Sequence, residues 1–317
     1  MRKDMNMAEI DIEYINDMAE NSPDTLVRSS EENYHAMVEE VAEKICSDKN
    51  VRILLLAGPS GSGKTTTANL ISDRIKSHGE GCIVVSLDDF YLNFDDGRYP
   101  RLENGELDCE SPLALDIPLL NETLLAIAHS EKFSLPKYNF KVSRRTEMRP
   151  HEPMPNGCVI IEGLHALNPL VFSPLPKEST LKLFISVSTN INANGERILS
   201  GRKIRFVRRM VRDSIYRNAD ARKTLDMWKG VLLGEDKYLY PNRKYADLNF
   251  NTFHPFELSV MRSLAEERIS EQLAREEPLA ATVLSALREV VPMDISLVPE
   301  TSLIREFIPG GKYEALY

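Results

Sequence analysis

No Cys-x-x-Cys pair occurs in this chain; its four cysteines, Cys46, Cys82, Cys109 and Cys158, are scattered. That spacing argues against a zinc site or a disulfide framework and fits a reducing compartment. No apolar run approaches the roughly 20 residues of a membrane span. The stretch from Met1 to Tyr14 is charged and lacks the apolar centre of a signal peptide. The expectation is a cytoplasmic protein with no membrane partner. Positive charge is not in surplus either. Against 48 Asp and Glu stand 39 Lys and Arg, a formal net charge of −9, so nucleic acid is not an expected partner. Internal repeats and low-complexity tracts are missing.

What remains is ordinary for a folded α/β chain: 317 residues, 42% apolar and 27% charged. One segment is not ordinary. Gly58-Pro59-Ser60-Gly61-Ser62-Gly63-Lys64-Thr65 fits G-x-x-x-x-G-K-[ST], the phosphate-binding loop. Before it, Val51 to Ala57 is a short apolar run that reads as a buried strand. After it, Thr66 to Lys76 reads as a helix ending near Gly79. Gly58, Gly61 and Gly63 open backbone angles closed to other residues, so successive N–H groups from Ser60, Ser62 and their neighbours through Thr66 can line a nest for phosphate. Lys64 is a point charge for the β- and γ-phosphates, and the Thr65 hydroxyl suits Mg²⁺. A plain glycine turn with an exposed lysine would leave this coincidence unexplained.

Further strands are expected at Cys82–Leu87, Cys158–Ile161, Leu181–Val187 and Ala246–Thr252, and helices at Glu31–Ile45, Leu113–His129, Arg202–Arg217, Asp220–Leu233 and Pro255–Arg288. Asn21-Ser22-Pro23-Asp24 should break any helix near it. Residues 92–111 read as a polar excursion, and Phe133 to Pro155 as irregular and basic, with Lys137, Lys141, Arg144, Arg145 and Arg149. Short apolar strands alternating with helices indicate a mostly parallel sheet covered on both faces.

Three features narrow the chemistry. Asp88 ends the second strand, on the side where parallel sheets bind ligands. A carboxylate there can take a proton from an acceptor hydroxyl or hold Mg²⁺ through water. It could equally be a turn residue, and Asp89 competes because side chains alternate along a strand. Glu162 closes an apolar strand in the manner of a Walker B acid that helps hold Mg²⁺. Finally, Arg197 to Lys223 carries ten Lys or Arg against Asp213 and Asp220. On a helix, Arg205, Arg208, Arg209 and Arg212 share one face. Two readings stand: a lid whose arginines stabilise a transferring phosphate, or a solvated helix paired with acidic neighbours. The guanine motif N-K-x-D is absent, since Asn242-Arg243-Lys244-Tyr245-Ala246-Asp247 has the wrong spacing.

These residues resemble the uridine kinase / phosphoribulokinase family of P-loop kinases from about Arg52 to about Asn251. The supporting blocks, in the family's order, are residues 58–65, Leu-Asp-Asp-Phe-Tyr (87–91), Pro-Leu-Ala-Leu-Asp (112–116), Pro-Lys-Tyr-Asn-Phe (136–140), Ile-Ile-Glu-Gly-Leu (160–164), Arg-Arg-Met-Val-Arg-Asp (208–213) and Arg-Lys-Tyr-Ala-Asp (243–247). The resemblance implies a P-loop NTPase fold with a five-stranded parallel core. It also implies transfer of the ATP γ-phosphate, with Mg²⁺, to a primary hydroxyl such as the 5′-OH of uridine or cytidine. Asp88 matches the family's general base. Tyr91, Glu110, Tyr138 and Phe140 match positions near the nucleoside, and Arg208, Arg209 and Arg212 match lid arginines. Two departures bear on the acceptor. Ser143 stands where uridine kinases usually carry a histidine, and Arg217-Asn218-Ala219-Asp220 replaces Arg-Gly-Arg-Asp. His165 is a candidate substitute contact.

The expected organisation is an N-terminal extension over 1–50, a kinase domain over 51–255 with a lid at about 197–223, and a helical C-terminal extension over 256–317. The extensions are candidates for making a homo-oligomer. Besides a nucleoside kinase, two readings stay open: the same chemistry on a sugar phosphate or pantothenate-like acceptor, favoured by the basic stretch Lys141 to Arg149, and an ATP sensor that transfers nothing.

Overall fold

A computed structural model describes residues 8–140, 142–154 and 157–316. Lys141 and Pro155 therefore lie outside the described residues, as do the first seven residues and Tyr317. The chain opens with a short strand, β1 (Ala8–Asp11), and two helices, α1 (Ile12–Asn21) and α2 (Pro23–Ser47). Ser22 does break the helix as expected, but helices stand on both sides of it, and Pro23 fits because the first helical position needs no N–H.

Next come β2 (Ile53–Ala57), α3 (Lys64–Ser77), β3 (Cys82–Ser86) and α4 (Ile117–Ala128). Phe133 to His151 is not irregular. It is an antiparallel hairpin, β4 (Phe133–Asn139) and β5 (Arg144–His151). Its charged outer face hides the alternation that a half-buried strand normally shows. The chain continues through β6 (Cys158–Glu162), α5 (Pro169–Phe172), β7 (Thr180–Ser186), β8 (Thr189–Ala193), β9 (Glu196–Leu199), α6 (Gly201–Tyr216) and α7 (Ala221–Gly234). After β10 (Leu248–Asn251), the expected single helical stretch is three helices: α8 (Glu257–Glu266), α9 (Glu271–Glu276) and α10 (Pro278–Glu289).

Five strands form one all-parallel sheet in the order β10-β7-β2-β6-β3. Strands β2 and β6 lie inside it and are buried along their whole length, which is why both read as continuous apolar runs. A smaller sheet joins β1, β8 and β9. On one face of the main sheet a single apolar cluster takes side chains from α1, α2, α3, α6, α8, α10 and the tail, including Ile15, Val41, Ile71, Phe206, Met261, Val283 and Phe307. The N- and C-terminal extensions thus share a core with the P-loop region. On the other face α4 packs with Leu120 and Leu124 against Ile53, Leu55 and Ile161. Among the described residues no helix is long and apolar enough to cross a membrane.

Candidate active site

The P-loop leaves the buried centre of the sheet at Ala57. Gly58 passes so close to the neighbouring strand that a Cβ there would sit 2.5 Å from the Ile185 carbonyl oxygen. Gly61 (φ 74°) and Gly63 (φ 88°) take left-handed angles, and Gly63 hands the chain to α3, whose first residue is Lys64. The N–H groups of Gly61, Gly63, Lys64 and Thr65 have no protein acceptor among the described residues. They sit at the N-terminus of a long helix, where the dipole favours an anion. Lys64 arches over the loop and donates to the Pro59 carbonyl at 3.3 Å.

Three expected phosphate contacts are engaged elsewhere: the Thr66 N–H, which donates to Glu306 at 3.4 Å, and two serines. The Ser60 N–H donates to Glu235 at 2.9 Å, its carbonyl accepts from Arg205 at 2.7 Å, and its hydroxyl accepts from Arg209 at 2.9 Å. Ser62 donates its N–H to the Pro59 carbonyl, and its own carbonyl accepts from Thr252. Both residues brace the loop from behind.

The cationic stripe is not bare. Arg205 and Arg208 are among the largest fully buried side chains. Arg205 makes a two-pronged pair with Glu235, both bonds 2.8 Å. Arg208 pairs with Glu257 and also donates to the carbonyls of Gly61 and Thr252. Arg208 was expected to stabilise the transferring phosphate. Its buried guanidinium is instead committed to a carboxylate and two backbone carbonyls, a pairing that burial demands of a charge. Arg212 is likewise held by Asp213 at 2.7 Å and lies 3.7 Å from Glu306. Two arginines differ. Arg209 spans from Ser60 to Asp213, and its charge bears on Glu110. Arg217 is half exposed, and its charge bears on Asp88. Nothing in the sequence separates these roles, because all lie on or just beyond one helix.

Opposite the loop stand the acids. The competition between Asp88 and Asp89 is decided by partners. Asp89 accepts from the Tyr138 N–H at 3.1 Å and lies 3.1 Å from Lys137, so it anchors the β4–β5 hairpin. The Asp88 carboxylate has no hydrogen bond or ion pair among the described residues. Asp88 is solvent-exposed, and although the protein around it pushes its pKa up, with Asp89 adding and Lys64 opposing, that exposure keeps the rise modest. Glu162, opposite Leu56 in the sheet, is 7% exposed. Burial pushes its pKa up to about 7 against the pull of Lys64, with Asp88 adding to the rise. The carboxylates of Glu162 and Asp88, each acting on the other's charge and on Lys64, and the Thr65 hydroxyl at the start of α3 are hard oxygen donors of the kind Mg²⁺ prefers, so these residues fit such an ion.

The remaining candidates gather on one side of Asp88. The rings of Tyr91, Tyr138 and Phe140 lie 5.0–6.2 Å apart, with Phe140 62% exposed. Tyr91 donates to the Cys109 carbonyl. Burial raises the pKa of Glu110 while Arg209 opposes. His165 is 4% exposed, edge-on to Tyr238 at 6.2 Å, and burial lowers its pKa to about 4. Buried and held neutral, it is not an exposed substrate contact. Ser143 sits in the hairpin turn with φ 51°, a left-handed position. The basic residues around it are paired: Lys137 with Asp89, Arg144 with Asp95, Arg145 with Asp116, and Arg149 with Glu147.

Comparison with known proteins gives the family of the chain. The profile of the "Phosphoribulokinase / Uridine kinase family" matches residues 53–258, well over half of the chain. The chain belongs to this family. Membership makes it a P-loop phosphotransferase that uses a nucleotide. Similar curated proteins include a uridine kinase of Schizosaccharomyces pombe, 25% identical over 82% of this chain and 55% of its own length. The chain thus spans about half of that relative. A uridine kinase of Lactobacillus johnsonii is 26% identical over 62% of this chain and 84% of its own. A solved "possible uridine kinase" from Bacillus stearothermophilus covers 69% of this chain and 99% of its own at 17% identity and a TM-score of 0.43. The family match ends at 258, so it excludes Glu306, and the sequence carried no signal for that residue.

Proposed function

We propose that the chain transfers the γ-phosphate of ATP, with Mg²⁺, to the 5′-hydroxyl of a nucleoside, uridine or cytidine. The observation that carries this reading is Asp88: an uncommitted carboxylate facing Lys64, with the aromatic group Tyr91, Tyr138 and Phe140 beside it. When bound, ATP supplies the phosphoryl group and Mg²⁺ offsets its charge. Asp88, an exposed carboxylate just past the end of β3, takes the proton of the acceptor hydroxyl. Lys64 and the unpaired loop amides hold phosphate oxygens, and Arg209 with Arg217 offsets charge on the acceptor side. Thr65 and Glu162 would hold the metal. The rings of Tyr91 and Phe140, backed by the buried Tyr138, offer faces on which a base can stack, and Glu110 offers a carboxylate for sugar hydroxyls.

A phosphorylated acceptor would want free cations beside Asp88. The described basic residues of the hairpin already have carboxylate partners, so they do not favour that reading. The test is ADP release with Mg-ATP against uridine, cytidine, other nucleosides, ribulose 5-phosphate and pantothenate. Turnover on uridine or cytidine that is lost in Asp88→Asn supports the assignment. Turnover only on another acceptor moves the substrate class, and near-normal turnover in Asp88→Asn removes the base.

A further inference from the structure

The chemistry above leaves unused an acid that touches the P-loop helix. Residues 302–308 fold into a short turn against the loop. Leu303, Ile304, Phe307 and Ile308 are wholly buried, and Glu306 is 5% exposed. Leu303 lies over Gly63 so tightly that a Cβ on the glycine would come 2.6 Å from its Cδ1. The Phe307 ring lies 5.0 Å from the Arg208 guanidinium, and Ser302 donates to Glu31 at 2.5 Å. These contacts aim one carboxylate at the first turn of α3. Glu306 Oε2 accepts from the Thr66 hydroxyl at 3.0 Å and from the Thr66 N–H at 3.4 Å. Its negative charge also reaches Glu162 across the cradle.

Thr66 directly follows the Gly-Lys-Thr of the loop, in the helix turn whose amides cradle nucleotide phosphates. A carboxylate there satisfies the same donors as a phosphate oxygen. If it stayed in place beside a bound polyphosphate, two anions would share one set of donors, at a cost in electrostatic repulsion. We propose that the tail turn 302–308 is a built-in anionic plug: Glu306 occupies Thr66 in the empty enzyme and is displaced when nucleotide phosphate binds. The plug then lowers apparent nucleotide affinity by the fraction of time the loop is free. The inference rests on the reading that this loop binds a nucleotide, but not on the acceptor.

The test uses the full chain and a non-hydrolysable ATP analogue with Mg²⁺, titrated by calorimetry into wild type, Glu306→Gln and a Lys64→Ala control. Glu306→Gln keeps the size of the side chain and removes the charge. It should bind about tenfold tighter, while Lys64→Ala loses binding. In parallel, hydrogen exchange of residues 302–308 in the wild type should speed up when the analogue is added, a readout that needs no variant to fold. Equal or weaker binding by Glu306→Gln, or tail amides that stay as protected with the analogue as without it, would overturn the plug. No binding by either protein would overturn it too, since freeing Thr66 would then expose no site. Because no acceptor is present, a failure of the nucleoside assignment leaves these outcomes unchanged.

Discussion

Arg208 and Arg209 are neighbours in sequence on the same helix, yet they lead opposite lives. Arg208 is wholly buried, and its donors go to Glu257 and to the carbonyls of Gly61 and Thr252. Arg209 reaches from Ser60 toward the acceptor side, where its charge bears on Glu110. A helix turns about 100° per residue, so adjacent side chains face different surroundings. One face of α6 looks at the back of the P-loop and the other at the cleft. An arginine on the first face holds shape; one on the second sits beside the cleft acids.

The largest expected effect comes from breaking the buried side. Arg208→Met leaves Glu257 buried and unpaired and should cost about 3–5 kcal/mol of stability, read as a large fall in the urea midpoint. Removing both partners, Arg208→Met with Glu257→Leu, should recover most of that loss, because the cost lies in the stranded charge. A double variant as unstable as the single one would break the comparison.

On the cleft side, Arg209→Met should keep the urea midpoint near the wild-type value and lower kcat by about 10²–10³-fold, the usual effect of removing one stabilising donor. Arg217→Met should act in the same direction but less, since its side chain is half exposed. Kinetics on the two variants, beside melting curves, would sharpen the division. An Arg209 variant that melts early with unchanged kcat would erase it.

The smallest effect is on pH dependence. Behind the loop, Glu31 lies 3.8 Å from His254 and 3.7 Å from His35, with Tyr34 and Ser302 packed around it. Burial raises the Glu31 pKa to about 7, lowers that of His254 to about 3, and lowers that of His35. The folded state therefore keeps the Glu31 proton that the unfolded chain releases near 4.5, and this contribution to stability fades as pH rises from there to about 7. His254 works the other way, because the unfolded chain takes up a proton below 6.5 that the folded state refuses until about pH 3. Glu31→Gln removes only the first slope. The stability of the variant relative to wild type should therefore rise between pH 5 and pH 8, by about 2–4 °C in Tm for each kcal/mol gained. Parallel melting curves across that range would refute it.

Much of the fold was legible. Strands β2, β3, β6 and β7 announced themselves as short apolar runs because they form the covered parallel sheet. Helices α6 and α7 start and stop within a residue or two of the expected bounds, at Gly201–Tyr216 and Ala221–Gly234. The hairpin β4–β5 was missed because Arg144, Glu147 and Arg149 line its exposed side. Helix α1 was missed because most of its residues are polar, although Ile12, Ile15 and Ala19 make a narrow buried face on it.

At the site, residue types and loop spacing singled out the phosphate loop, the Asp88–Asp89 pair and Glu162 as candidates. Those assignments depend on local chemistry: glycine angles, a helix N-terminus, and acids at strand ends. The sequence could not decide which of two adjacent aspartates is free, which arginines are buried, or that Glu235 meets the loop, Glu257 meets Arg208 and Glu306 meets Thr66. Each of those is a partnership across many residues, 240 in the case of Thr66 and Glu306. A charge's role follows from its partner and its access to water, and both are set only when distant segments pack together.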